Sequence, residues 1–394
     1  MTNDEAANGP TPPQVSLAEV ARVFLKLGTI AFGGPAAHIA MLEDETVRRR
    51  NWVSREQFLD MLGASNLIPG PNSTELAIHL GRHVAGWRGL VVAGSCFILP
   101  AMLIVTAIAW AYVTYGALPQ VEGVLYGVKP VIIAVVLQAL WGLSRTALKG
   151  RGLAGLGLAV LALTMLGVNE LLLLALAGLA WGLREAVSRR KQDRSNPPLL
   201  GLAAFPVAGL IPTVATSSAP FGLWPLFWFF VKVGSVLYGS GYVLLAFLNE
   251  GLVERMGWLT STQLLDAVAV GQVTPGPVFT TATFVGYLLG GPAGAVVATV
   301  GIFLPAFIFV AVSGPLIPRI RKSPIAGAVL DGVNVASLAL MAAVTFQLAR
   351  PAVTDGLTLV LALLSAGLLL RMRVNSAWLV LGGALIGALA WTWR

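Results

Sequence analysis

The sequence predicts an all-α polytopic membrane protein made of two inverted-topology repeats, each with a helical hairpin that breaks at a Pro-Gly-Pro and re-enters the bilayer. Three observations predict it. Of 394 residues, 56% are hydrophobic and only 11% charged, and the mean hydropathy is +0.80, outside the composition of soluble domains. The chain aligns with itself at a shift of 206 residues. Its Lys and Arg residues change sides between the two copies.

Taken in order, residues 1–16 read as a polar N-terminal tail. It carries Asp4 and Glu5 but no Lys or Arg, unlike the basic start of a cleaved signal peptide. The first repeat covers 17–186, a linker 187–220, and the second repeat 221–394. The shift pairs Lys26 with Lys232, Gly33 with Gly239, Trp52 with Trp258, Asp60 with Asp266 and the two Pro-Gly-Pro sets, with 15 identities over the 48 positions from 24 to 71. Each repeat opens on one apolar stretch, Val15 to Leu42 or Phe221 to Leu248. Each stretch either spans or breaks, at Gly33-Gly34-Pro35 or at Gly239-Ser240-Gly241. We take the spanning reading, which gives five crossings per half and about ten in all; the broken reading needs Leu199 to Thr216 to cross. Further on, runs such as Gly89 to Val113, Val121 to Leu143 and Gly356 to Leu370 meet or approach the roughly 20 residues that carry a helix across a bilayer.

Loop charge sets the orientation. Arg48, Arg49, Arg50, Arg55, Arg82, Arg88, Arg145, Lys149 and Arg151 crowd the loops of one face in the first half, and in the second half Arg319, Arg321, Lys322, Arg371 and Arg373 fall where the first was bare. Antiparallel copies place 19 Lys and Arg on one face and 3 on the other, and the positive-inside rule makes the first cytoplasmic. Glu56 to Gly86 then begins and ends on the basic side. Its two 13-residue arms reach about 20 Å, past the midplane, so it reads as a re-entrant hairpin with Pro69, Gly70 and Pro71 at the tip. Leu259 to Gly290 is its partner, with Pro275, Gly276 and Pro277 at the tip. Prolines remove backbone donors and stop a helix, and the helix restarting beyond them offers first-turn N–H groups to a cavity. Broken helices of this kind at a repeat interface are the pattern of secondary transporters.

Intramembrane cations are costly and mark functional sites by default, so Lys26, Lys232 and Lys129 are candidate anion ligands. The alternative for Lys26 is snorkelling along a partly interfacial helix with Glu19 and Arg22. Asn72, Ser73 and Thr74, with Thr280 and Thr281 in the other copy, supply donors in the first turn after each tip; ordinary N-capping uses the same residue types. Gly33, Gly34 and Pro35 complete the candidate substrate site. Glu75, with His79 one turn on, is a candidate proton carrier, since a carboxyl at that depth resists ionisation; a structural tie to His79 or Arg82 is the alternative. Asp60 and Asp266 are read as holding the hairpins rather than binding an anion.

No nucleophile and base, zinc motif or phosphate loop appears, so the chain reads as a transporter and not an enzyme, without metal or cofactor. Lone Cys96 excludes an intramolecular disulfide. The net charge of +8 reflects cytoplasmic loops rather than a nucleic-acid partner.

Phe32-Gly33-Gly34-Pro35, Trp52-Val53-Ser54 and the doubled Pro-Gly-Pro resemble the chromate ion transporter family in its two-domain form, over about residues 17 to 392. The resemblance implies a multi-pass protein of the bacterial inner membrane that exports chromate, driven by the proton-motive force, and confers chromate resistance. Sulfate or another tetrahedral oxyanion, exchange, an uncoupled anion pore and a homodimer stay open as alternatives. The second copy departs from the first, with Ser240-Gly241 for Gly34-Pro35 and Val278-Phe279 for Asn72-Ser73, which places more of the binding in the first half.

Overall fold

The computed structural model describes residues 15–31, 34–116, 119–192, 220–238, 243–313, 323–372, 374 and 376–392. Gly33, the tail to residue 14, Leu199 to Thr216 and linker residues 193–219 lie outside the described residues. Among the described residues there are fourteen α-helices and no strand. They are α1 (Leu17–Ile30), α2 (Gly34–Glu43), α3 (Arg55–Ser65), α4 (Asn72–Tyr115), α5 (Pro119–Ala147), α6 (Arg151–Met165), α7 (Glu170–Gln192), α8 (Leu223–Val236), α9 (Leu244–Leu248), α10 (Ser261–Val273), α11 (Thr281–Ser313), α12 (Pro324–Ala352), α13 (Gly356–Met372) and α14 (Ser376–Thr392). Five apolar stretches, in α4, α5, α7, α11 and α12, are long enough to cross a membrane. The chain is a multi-pass helical membrane protein.

The opening stretch is not one continuous helix. α1 stops at Ile30 and α2 starts at Gly34, whose φ of 77° is in the left-handed region, with Pro35 following. This corrects the expectation of a single spanning helix from Val15 to Leu42. In the second half α8 likewise ends at Val236, before α9.

The helices fall into two compact units. The first holds the described residues of 1–114, 223–241 and 270–315. Ser16 caps α1 by accepting from the Glu19 N–H. Val20, Val23, Phe24 and Leu27, at helical spacing, pack with Phe58, Leu76, Leu80 and Phe97. Gly28 permits the close approach to α4: a Cβ there would lie 2.5 Å from the Phe97 carbonyl oxygen. The same holds for Gly234, 2.3 Å from the Ile302 carbonyl oxygen of α11. α3 starts with a capping box between Ser54 and Gln57, and Thr260 and Gln263 exchange the same pair of bonds before α10, in the other unit.

α4 and α11 are each two helical pieces. Non-helical Ala85 and Gly86 interrupt the first, and Gly290 and Gly291 the second, with nearly the same angles. Across the break Gly81 and Gly89 come together, so that a Cβ on Gly81 would meet the Gly89 carbonyl oxygen at 2.4 Å. Eight residues of straight helix rise about 12 Å. The chain therefore reverses there, and it reverses equally at Gly286 and Gly294.

At one end of this unit, Glu45 accepts from Arg50 (3.0 Å) and Lys26 (3.2 Å), and Arg50 also donates to Glu19. Burial pushes the Glu45 carboxyl up, but the hydrogen bonds and charges of Arg50 and Lys26 outweigh it and hold the group below its ordinary 4.5. A folded value below the unfolded one stabilises above the unfolded value, and that contribution is lost as pH falls through the folded value. Glu45→Gln is therefore expected to lower the thermal midpoint of detergent-solubilised protein at neutral pH, with the difference from wild type closing below 4.5. A difference independent of pH would refute this account.

The second unit holds the described residues of 115–222, 242–269 and 316–394. α5 packs on α12, α13 and α14, while α12 packs on α6, α7 and α9. The seams are lined by small residues, as lipid-embedded helices require. A Cβ on Gly127 would fall 1.9 Å from the Gly383 carbonyl oxygen, and one on Gly332 would fall 2.4 Å from that of Ala177.

Candidate functional site

Both Pro-Gly-Pro tips lie in the first unit, and backbone bonds hold them. Gly70 and Gly276 have φ of 139° and 88°, conformations that favour glycine. The Gly70 N–H donates to the Leu237 carbonyl beyond α8 (2.8 Å), and the Gly276 N–H donates to the Ala31 carbonyl beyond α1 (2.9 Å). Those carbonyls have no acceptor role inside their own helix at its C-terminal end, which is why they are available. Each tip glycine is thus bonded to the end of the opening helix of the other half. These two amides are committed to the frame and do not face an anion.

Around this junction Pro35, Pro71, Asn72, Ser73, Pro277, Val278 and Phe279 line one small pocket. Its interior leaves about 10 Å³ for the centre of a water molecule, near the least that holds one water. Polar reach comes from the side chains of Asn72 and Ser73 and from the start of α4, where the N–H groups of Thr74 and Glu75 are taken by the Pro71 carbonyl (2.7 and 3.0 Å) and those of Asn72 and Ser73 precede any intrahelical acceptor. Asn72 Nδ2 donates to Asn66 Oδ1 at 2.6 Å. Ser73 Oγ lies 3.2 Å from His38 Nδ1, and His38 Nε2 donates to the Ala31 carbonyl at 3.0 Å. A carbonyl only accepts, so Nε2 carries the hydrogen and, in the neutral ring, Nδ1 accepts the Ser73 hydroxyl.

Pro35, Pro71, Asn72, Ser73 and Pro277 of the expected site are thus brought together. Pro69, Pro275, Gly34 and Thr74 belong to the same unit without lining the pocket. The Thr280 and Thr281 hydroxyls donate locally, to the carbonyls of Pro277 and Val278. Lysines do not line the pocket. Lys26 is 48% exposed and paired with Glu45. Lys232 lies on α8 of the same unit. Lys129 belongs to the second unit, where its Nζ is 3.6 Å from Asp266 Oδ1, with the two side chains 17% and 2% exposed. Asp266 therefore faces a lysine.

Glu75 is completely buried, and neither carboxyl oxygen has a hydrogen-bond partner among the described residues. Its Oε1 is packed on Gly70, where a Cβ would come within 2.2 Å. The tie to His79 or Arg82 is not formed. His79 Nε2 also lacks a partner, and Arg82 donates to the carbonyls of Val310 and Ala311 and stacks over Trp87.

Sequence reasoning missed His38, Val278 and Phe279. His38 sits three residues past Pro35 and is one of three histidines in the chain. The two apolar residues stand where the first half has Asn72 and Ser73. They line the pocket with apolar surface and contribute no side-chain donor.

A family model described as chromate transporter matches residues 18–183 and again 224–388. The chain is 33% identical to the chromate transport protein of Cupriavidus metallidurans over 389 residues, covering 97% of this chain and 95% of that one. It is 32% identical to the chromate transport protein of Pseudomonas aeruginosa, covering 97% and 94%. An uncharacterised transporter of Bacillus subtilis matches 48% of this chain and 93% of its own length at 28% identity. No solved structure matches the chain significantly.

Proposed function

Because this chain belongs to the chromate transporter family, we propose that it exports chromate across the bacterial inner membrane by alternating access, driven by the proton-motive force, and so confers chromate resistance. The observation that carries the reading is a small pocket lined from both Pro-Gly-Pro segments, with the start of α4 as its polar wall. Fresh helix N-termini favour negative charge, and the amide hydrogen of Asn72 not given to Asn66 adds a donor of the kind a tetrahedral oxyanion accepts. The pocket has room for about one water, so the anion enters when the tips part. Two inverted repeats would give the tips equal access from either face. The exchange of partners between α5 with α13 and α14, and α12 with α6 and α7, supports a two-fold relation between the halves. Glu75 is the proposed carrier of the exchanged proton, with His79 one turn away.

The experiment is chromate flux into inverted membrane vesicles. Uptake is expected to saturate, to collapse when the pH gradient is removed, and to fall at least about tenfold in Asn72→Ala at unchanged membrane abundance, an effect worth about 1.4 kcal/mol. Flux that neither saturates nor responds to the gradient would establish an uncoupled pore, and wild-type rates in Asn72→Ala would remove that residue from the site. Competition by sulfate in the same assay measures selectivity between the two oxyanions.

A further inference from the structure

His38 lies outside the residues lining the pocket, yet it holds one of them. It is 1% exposed, bonded on one side to the Ala31 carbonyl and on the other to Ser73, with the edge of its ring against Phe97. Ala31 is the same carbonyl that receives the Gly276 amide. The ring is therefore fixed in orientation at both nitrogens, and it bears directly on the hydroxyl that the first half offers to the pocket. No charged side chain bonds to it among the described residues. On α4, which packs against it, Glu75 and His79 are the titratable groups that follow Ser73, and neither makes a hydrogen bond to it.

We propose that His38 is a positioning residue that links anion binding to uptake of a proton, by switching the direction in which the Ser73 hydroxyl points. In the neutral ring Nδ1 accepts, and the Ser73 hydrogen is committed to it, so the pocket meets only lone pairs of Oγ, which repel an anion. When Nδ1 gains a proton it becomes a donor. Ser73 Oγ then accepts from the ring, and its own hydrogen is released toward the pocket. The same event adds a positive charge behind the hydroxyl. Both changes favour an oxyanion, and by reciprocity the bound oxyanion favours the protonated ring. The Ala31 bond is unchanged in both states, since Nε2 donates throughout, so the switch needs no movement of the frame. The proton bound at His38 is distinct from the exchanged proton assigned to Glu75.

This inference rests on the reading of the pocket as the anion site, and it is tested by binding rather than transport. Calorimetric titration of the full-length, detergent-solubilised protein with chromate is carried out at alkaline pH, where the free anion has no proton of its own, with sulfate as a second probe. Repeating it in buffers of different ionisation heat counts protons. Wild type is expected to take up about one proton per anion and to lose about tenfold in affinity per pH unit. His38→Gln keeps a donor for Ala31 and an acceptor for Ser73 but cannot gain a proton, so it should bind weakly with an affinity that no longer varies with pH. Ser73→Ala should lower affinity toward the wild-type alkaline value. Anion binding by wild type without proton uptake, or a His38→Gln affinity with the wild-type slope, would overturn the linkage and leave the pocket assignment standing. Absence of chromate binding by wild type at every pH would overturn the pocket assignment itself. Should His38→Gln fail to fold, the wild-type proton count and Ser73→Ala decide the matter.

Discussion

Replacing Glu75 with Gln is expected to reduce proton-driven chromate accumulation on the order of a hundredfold, equivalent to about 2.7 kcal/mol. The carboxyl is buried beside the Pro69-Gly70-Pro71 segment, with Gly70 against Oε1 and, among the described residues, no hydrogen bond to either oxygen. Buried polar groups are ordinarily partnered, and one that is not needs a functional explanation. Gln matches Glu in size and cannot exchange a proton, so packing against Gly70 is retained while the chemistry is removed. Abundance at the wild-type level with coupled uptake intact would exclude Glu75 as the carrier. A loss of abundance would show that its role is in the fold.

Lys129→Ala is expected to have a comparable effect by another route. It leaves Asp266, 2% exposed, without the lysine it faces. Removing one member of a buried ion pair costs about 3–5 kcal/mol, whereas replacing both by apolar residues is often close to neutral. Membrane abundance of Lys129→Ala should therefore drop several-fold, and Lys129→Met/Asp266→Leu should restore it. Transport distinguishes the remaining roles. If the restored double variant still moves no chromate, the lysine acts on the anion; if it transports normally, the pair is structural only.

The class of this protein was legible in composition, and the doubled Pro-Gly-Pro marked the segments that line the pocket. The finer geometry was less so. Both Pro-flanked glycines stood out because proline and glycine punctuate a helix by local chemistry, and the reversals at Ala85–Gly86 and Gly290–Gly291 fall where loop charge had the two hairpin segments end, at Gly86 and Gly290. The opening helix was read through because Val15 to Leu42 is apolar enough to cross, although Gly34 and Pro35 end it. The lysines were expected beside the tips on the rule that a buried cation has a functional partner. Their partners are Glu45 for Lys26 and Asp266 for Lys129, carboxylates too far away in sequence for spacing to reveal. His38 was overlooked for the same reason: the hydroxyl it holds is 35 residues away.

The paired amide bonds of Gly70 to Leu237 and Gly276 to Ala31 have a bearing on how such a duplicated molecule can specialise. They use main-chain atoms alone, so either half can exchange its reactive side chains without loosening the joint. The first half has His38, Asn72, Ser73 and Glu75 where the second has Leu244, Val278, Phe279 and Thr281. Mechanical symmetry is in this way preserved by the peptide bond, while chemical labour is free to become one-sided.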